Sequence, residues 1–582
     1  MIETPKPRRP SRVPPAAAGI QVNFCRNATC PNFGVVPGDG DRRNKAATVD
    51  QPAYAMIGGA GSLAPVAVCG ICQESFPLKS NVGVREELER LSAYLAPPTG
   101  PGCPQATCEQ NGMGAEQHPK LYQRFGKTSA GSARLRCKAC GKLFSVPTSA
   151  TPRQKRSDIN AMVYRLLINK MPMRRICETA GIGVQTLYTK LEFIAERARH
   201  FAREHEAPLL TGKELPPLLL STDRQDYLLN WGTSADRRNT RLHGVGTADN
   251  RTSYVFGMHL DYDSRLDPGD IEMTALECDD YNVLQPFRKF ARLWLKRDWN
   301  APDVMLRRRH DTAKRRGIPT SELDGEMVAT KWGNDDSKLP GRGMKVRDDY
   351  SMFGHLHLVA RLCSGSPHVV LYMDRDASLR AAAHSAFRER IQAGSADTFL
   401  VRINKEMTID KKALAVAQAK QRMTKFAKER GIATSLAGRI HLQEEIARRG
   451  YIPRWQDRWL EHPVPDQGEP EKQLLYLTDR PDMTDTRRAD LHLWGSMHGI
   501  DRFFMVLRRR QSLLERPISS ASSTGRTFLG NNPYRPWVVE SVLDLLRVSY
   551  NYHHAGQDKK TPAQRLGLTS DRFTLEQILG QV

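Results

Sequence analysis

Eight of the 11 cysteines fall into two quartets of one spacing. Cys25, Cys30, Cys69 and Cys72 run C-x4-C, a long loop, then C-x2-C, and Cys103, Cys108, Cys137 and Cys140 repeat the pattern. Each quartet is followed by a Phe four residues after its last Cys, Phe76 and Phe144. Two close thiolate pairs joined by a loop can close a tetrahedral Zn2+ site. Disulfides are the other use of paired cysteines. They belong to secreted chains, whereas this chain is large and reads as having no secretory signal. The expectation is two structural zinc ribbons holding two Zn2+ through thiolates alone. Cys177, Cys278 and Cys363 read as ordinary core thiols.

Three aspartates form the second chemical set. Asp223 follows the apolar run Leu218-Leu219-Leu220, and Asp374 ends the run HVVLYM. Each is expected at the end of a buried strand, where a rigid scaffold aims it. Asp501 lies in GIDRFFMVLRRRQSLLERP, in the first turn of a helix whose Ile500, Phe504 and Leu507 face the core. Three converging carboxylates can hold two Mg2+ about 4 Å apart, one activating an attacking oxygen and one stabilising a leaving oxygen at phosphorus. Oxygen ligands suit that hard cation. A single strand-end Asp is more often a turn or cap residue; the ordered trio points to chemistry. Asp226, Asp376, Asp485, Asp490 and Glu515 compete for these roles. Glu515 lies about four helical turns past Asp501, so the two are alternatives. His498 is a minor candidate for a substrate phosphate. His553 and His554 are adjacent, do not share a helix face, and read as packing residues.

The composition says what such a centre would act on. The net charge is +23, from 87 Lys+Arg against 64 Asp+Glu. That excess is the footprint of a polyanion ligand. Basic blocks at Arg307–Arg309, Arg315–Arg316 and Arg508–Arg510 favour nucleic acid over an anionic membrane, which would call for an apolar insertion face. No apolar run reaches membrane-spanning length.

The elements that must position these residues follow from the patterning. Residues 1–22 are basic and Pro-rich and read as a disordered arm. The first ribbon and a helix begun at Ser80 or Asn81 occupy 23–100, with Val84, Leu88, Leu91 and Leu95 at helical spacing. The second ribbon occupies 101–150. Residues 151–212 are helical: one helix capped by Ser157, a short one from Met173 to Thr179, a turn at Gly181, and a third from Val184 to about Ala202. Two helices joined by a Gly turn fit a helix-turn-helix. Gln185, Thr186, Thr189 and Lys190 would then face outward, where a recognition helix meets base edges. From 213 to 404 strands alternate with helices, residues 405–490 form a basic helical insertion, and 491–582 complete the core. The fold class is multidomain α+β: two ribbons, a helix-turn-helix, and an α/β core with inserted helices.

Several stretches resemble a known family. LRCKACGKLFSV is similar to the zinc ribbon that precedes the helix-turn-helix in the insertion-element-one-like group of bacterial insertion-sequence transposases of the DDE type. STDRQDYLL and VVLYMDRDASL resemble the strands bearing the first two acids of an RNase H-like core. IDRFFMVLRRRQSLLERPISSASS resembles the helix bearing the third, usually Glu and here Asp501. YNYHHAGQDKKTPAQRLGL is similar to the closing segment of many transposases and integrases. The resemblance implies an enzyme that binds terminal inverted repeats, hydrolyses a phosphodiester at each element end, and joins the freed 3′-hydroxyl to target DNA. It implies Asp223, Asp374 and Asp501 as ligands of two Mg2+, with Mn2+ able to serve, and Arg508, Arg509 and Arg510 on DNA phosphates. A cytoplasmic, nucleoid-associated homo-oligomer with no membrane partner is expected. The alternative is a non-catalytic, sequence-specific DNA-binding regulator derived from such an enzyme.

Overall fold

The computed structural model describes residues 12–38, 54–57, 65–97, 100–129, 131–146, 151, 154–233, 235–300, 337–404, 407–514 and 530–580. The chain is a mixed α+β protein built on one seven-stranded sheet. Its strands are β1 (Leu218–Leu229), β2 (Thr240–Asp249), β3 (Val255–Leu260), β4 (Val369–Asp374), β5 (Ala396–Arg402), β6 (Trp459–Glu461) and β7 (Gln473–Tyr476). The spatial order is β6-β7-β5-β4-β1-β2-β3. β4 pairs in parallel with β1 and with β5; the other pairings are antiparallel. The apolar runs of β4 and early β1 are buried residue after residue, as strands covered on both faces must be.

Helices cover the two faces. The main helices of the chain begin with α1 (Asn81–Ser92), α2 (Asn160–Leu167), α3 (Met173–Ala180) and α4 (Val184–Leu210). Then come α5 (Asp348–Leu362), α6 (Ala377–Ala386), α7 (Ile409–Arg430), α8 (Thr434–Arg449), α9 (Asp485–Leu493), α10 (His498–Arg510) and α11 (Pro536–Tyr552). α5 and α6 are the crossovers that parallel pairing demands. On one face Thr222 of β1 meets Thr247 of β2, and Thr247 meets His355 of α5, at 2.8 and 2.7 Å. On the other, Ser221 Oγ accepts from the backbone N–H of Ile500 in α10 (3.0 Å). α1 can lie against α5 because Gly354 offers no side chain where a Cβ would come within 2.8 Å of Glu87 Cγ. α11 closes the free edge of β3: the Asn551 amide accepts from Val255 N–H and donates to Val255 C=O (3.0 and 2.9 Å). Among the described residues no helix is long and apolar enough to cross a membrane.

Each cysteine quartet accompanies a three-stranded antiparallel sheet. The first has Tyr54–Ile57, Val66–Cys69 and Ser75–Pro77; the second has Tyr122–Lys127, Ala133–Cys137 and Leu143–Val146.

Several expectations need correction. Residues 1–11 lie outside the described residues, but 12–22 are folded, with Val13, Ile20 and Val22 buried. Ser157 opens a short 3-10 turn and is not the cap residue of α2. α4 runs on to Leu210, because Ala198, Phe201, Ala202 and Leu209 continue its buried stripe. Asp223 is not at a strand end: β1 continues to Leu229, paired with β2 throughout. The segment 405–490 is not only helical, since it supplies β6 and β7 to the main sheet.

Candidate active site and cysteine clusters

Asp223 and Asp374 reach one place by strand register. Tyr372 pairs with Ser221 and Met373 with Thr222 in the parallel β4–β1 ladder. One step on, Asp374 and Asp223 are neighbours on strands about 4.8 Å apart. Side chains alternate along a strand, so Ser221 and Asp223 share a face, as do Tyr372 and Asp374. Ser221 bonds α10, and Tyr372 Oη donates to Leu491 O of α9 (2.6 Å). Both acids therefore project toward the α9–α10 side. β4 ends at Asp374, and beyond Asp223 strand β1 pairs only with β2. Between β4 and β1 the strand order reverses, the kind of crevice in which open α/β sheets bind ligands.

α10 is pinned over this spot. Its early N–H groups have no intrahelical partners, and the sheet side supplies them. Gly499 N–H donates to Asn250 Oδ1 (2.9 Å), and Ile500 N–H to Ser221 Oγ. Just ahead of the helix, Met497 N–H donates to buried Glu469 (2.6 Å), which also holds Ser496 and Lys472. Gly246, paired with Asp223 across β1–β2, lets the helix lie flat: a Cβ there would stand 2.7 Å from Ile500 Cδ1. Asp501 follows Ile500 in this anchored turn and is half-buried.

The three carboxylates are not drawn into one tight cluster. Among the described residues, only the cysteine quartets bring three or more such ligand atoms within 4.8 Å of one another. Asp223, 8% exposed, accepts from Arg224 N–H (2.7 Å), and Asp374 accepts from Arg375 N–H (2.9 Å). A cleft of about 680 Å3 opens beside Asp374 at the carboxyl ends of β4 and β5, lined also by Arg402, Asn404, Glu461 and Glu471.

The competing acids have other partners. Arg224 points to the opposite face and forks between Asp348 of α5 (3.1 Å) and Asp376 (2.9 Å). Asp376 also caps α6, accepting from Ser378 and Leu379 N–H. This fork ties β1, α5 and α6 together beside the two acids. Sequence reasoning missed it, although each acid is followed by Arg in the repeated Asp-Arg pairs 223–224 and 374–375. Asp226 pairs with His243, Asp485 with Arg488, and Asp490 with Arg439. Glu515 and the 307–309 and 315–316 arginines lie outside the described residues. His498 is exposed at the start of α10, and His553 bonds Phe573 O. In the last turn of α10, Arg509 is exposed, Arg508 is half-buried, and Arg510 bonds Asn169 (3.1 Å).

At the start of α4, Gln185, Thr186 and Thr189 are exposed, as expected. Lys190 is not. It is 1% exposed, and its ammonium donates to Arg156 O and Asn160 Oδ1 (2.7 and 2.8 Å). The helical turn carries it to the inner face with Leu187 and Leu191, so it ties α4 to the start of α2.

Both cysteine quartets could hold a structural zinc ion. The Sγ atoms of Cys25 and Cys72 lie 3.4 Å apart and those of Cys30 and Cys69 3.8 Å; the second quartet gives 3.3 and 3.8 Å. A tetrahedron of about 2.3 Å Zn–S bonds has edges of roughly 3.8 Å, whereas a disulfide needs about 2.05 Å. All eight thiols are free. Hydrogen bonding among the crowded sulfurs, led by Cys30, drives the Cys25 thiol up, and that from Cys25 drives Cys69 down. No protein-family model matches the chain, and no curated protein is significantly similar to it.

Proposed function

We propose that the chain is a DNA transposase of the DDE type, with Asp223, Asp374 and Asp501 as the phosphodiester-cleaving centre of an RNase H-like core. The observation that carries this reading is the adjacency of Asp223 and Asp374 at the switch point of the sheet, on the side covered by α10, whose first turn contains Asp501. The strand order supports it too: an antiparallel meander β1–β2–β3, with β4 and β5 added in parallel beside β1, suits such a core.

The donor set fits hard divalent cations, being all carboxylate. Mg2+ or Mn2+ bound there would supply charge neutralisation for the attacking and leaving oxygens of an in-line displacement. The chain's own work is positioning. The β1–β4 register sets two acids side by side, and Asn250, Ser221 and Glu469 fix the turn that carries the third. Exposed Arg509 and the exposed basic residues of α7 and α8 would contact DNA phosphates. α3 and α4 act as a helix-turn-helix that presents Gln185, Thr186 and Thr189 to the major groove. The exposed, basic second ribbon lies just ahead of it in the chain and adds phosphate contacts.

The test uses duplexes carrying the inverted repeats that flank the reading frame. Wild-type protein should nick them with Mg2+ and leave a 3′-hydroxyl. Asp223→Asn, Asp374→Asn and Asp501→Asn should each abolish cleavage and keep repeat binding. Asp501→Glu should retain part of the activity. If Asp374→Asn cleaves normally, the assignment fails. If the wild type binds the repeats but never cuts, the regulator reading replaces the enzyme.

A further inference from the structure

The two cysteine quartets share a spacing but not their surroundings. In the second, the strand Tyr122–Lys127 is exposed at every position after Tyr122, Cys140 is exposed, and the small apolar cluster contains only ribbon residues. In the first, Cys25, Cys30 and Cys69 are buried, and the flanking residues reach into α6 of the main body.

Arg26, next to Cys25, is fully buried and donates to Ala381 O of α6 (3.0 Å), with its guanidinium against Phe24, Phe76 and Phe353. His384 of α6 bonds Arg26 O through Nδ1 (2.6 Å) and Thr398 of β5 through Nε2 (2.9 Å). A carbonyl only accepts, so Nδ1 carries the proton and Thr398 donates to Nε2. Glu74, two residues after Cys72, pairs with Arg380 of α6, which is 1% exposed and stacks on Trp455. At its other end α6 is capped by Asp376, which also holds Arg224, beside Asp374 and Asp223.

We infer that the first cysteine site, with its metal, is a structural clamp on α6: it locks the helix that follows Asp374, and the second site alone serves an open ribbon surface. Arg26 and Glu74 flank metal ligands, so the backbone that aims them is set by the closed site. The ribbon's own apolar cluster is small, and small modules of this kind commonly depend on their metal to fold. Opening the site takes Ala381 O from Arg26 and Glu74 from Arg380, and a buried guanidinium that loses a partner forces its surroundings to rearrange. α6 is where those guanidiniums sit or bond.

The experiment compares Cys69→Ser and Cys137→Ser in the full chain, reading zinc content and amide hydrogen exchange of residues 377–386. Each variant should lose one zinc. Cys69→Ser should speed exchange in α6 on the order of 100-fold, the size of a lost sub-global protection step; Cys137→Ser should leave α6 unchanged. Equal exchange in wild type and Cys69→Ser, or equal acceleration in both variants, overturns the clamp. Should Cys69→Ser fail to fold, Glu74→Gln reads the same link with both metals retained: faster α6 exchange supports it, and unchanged exchange overturns it. None of these readouts depends on strand cleavage.

Discussion

Mild acid should destabilise this protein, and the size of the effect follows from its buried imidazoles. His355, His384 and His462 are 0%, 1% and 6% exposed. Burial pushes each down from 6.5 to about 3. His355 is held between His259 Nδ1 (2.8 Å) and Thr247 Oγ1 (2.7 Å), and burial is what keeps it neutral. In the unfolded chain these groups take protons near pH 6.5; in the native state they do not until about pH 3. The unfolded state therefore binds more protons across that window. Stability is complete above about pH 6.5 and is lost as the pH falls toward 3. Each histidine costs about 1.4 kcal/mol per pH unit, so three cost about 4 kcal/mol at pH 5.5. That is a large part of a typical 5–15 kcal/mol total. Asp261, Glu86 and Glu540 act in the opposite sense, since burial raises their carboxyl groups. A difference measurement removes them. Denaturant unfolding of the core, followed from pH 7.5 to 5 in wild type and His355→Gln, should show a slope shallower by about 1.4 kcal/mol per pH unit in the variant below pH 6.5. Identical slopes would refute the assignment of a neutral, proton-excluding His355.

Three further perturbations address the scaffold. Gly246→Ala places a Cβ 2.7 Å from Ile500 Cδ1 and should cost about 1–3 kcal/mol while lifting α10 off the sheet, read as a lower melting temperature together with faster exchange in residues 498–510. Lys190→Ala should lower stability by about 1–3 kcal/mol by orphaning the Arg156 carbonyl and the Asn160 amide, whereas Gln185→Ala should leave the melting temperature unchanged and relax DNA sequence preference. Asn551→Leu strips both partners from the Val255 backbone at the β3 edge and should cost about 2–4 kcal/mol, seen as a shifted denaturant midpoint with unchanged m-value.

What the sequence determines by itself is local. The C-x4-C … C-x2-C spacing brings sulfurs together because the pairs are close in the chain, and the sulfurs do gather within 4.8 Å. The apolar run of β4, the turn at Gly181 with φ +61°, and the Ser80 cap of α1 are likewise written within a few residues. β2 was not visible, because Gly244 and Gly246 interrupt its apolar pattern and are there to admit Met258, Tyr227, Ile500 and Phe504. The inward turn of Lys190 was not visible either: a charged residue near a helix start reads as solvated until Asn160 and the Arg156 carbonyl are set beneath it. Only the tertiary structure decides which distant groups meet. It seats Arg26 on Ala381, 355 residues away, forks Arg224 between Asp348 and Asp376, and hangs the first turn of α10 on Ser221, 279 residues back. Side-chain type and spacing state what a residue can bond; burying one apolar core from the whole chain selects the partner, because a guanidinium or helix-end N–H removed from water must be matched where it comes to rest.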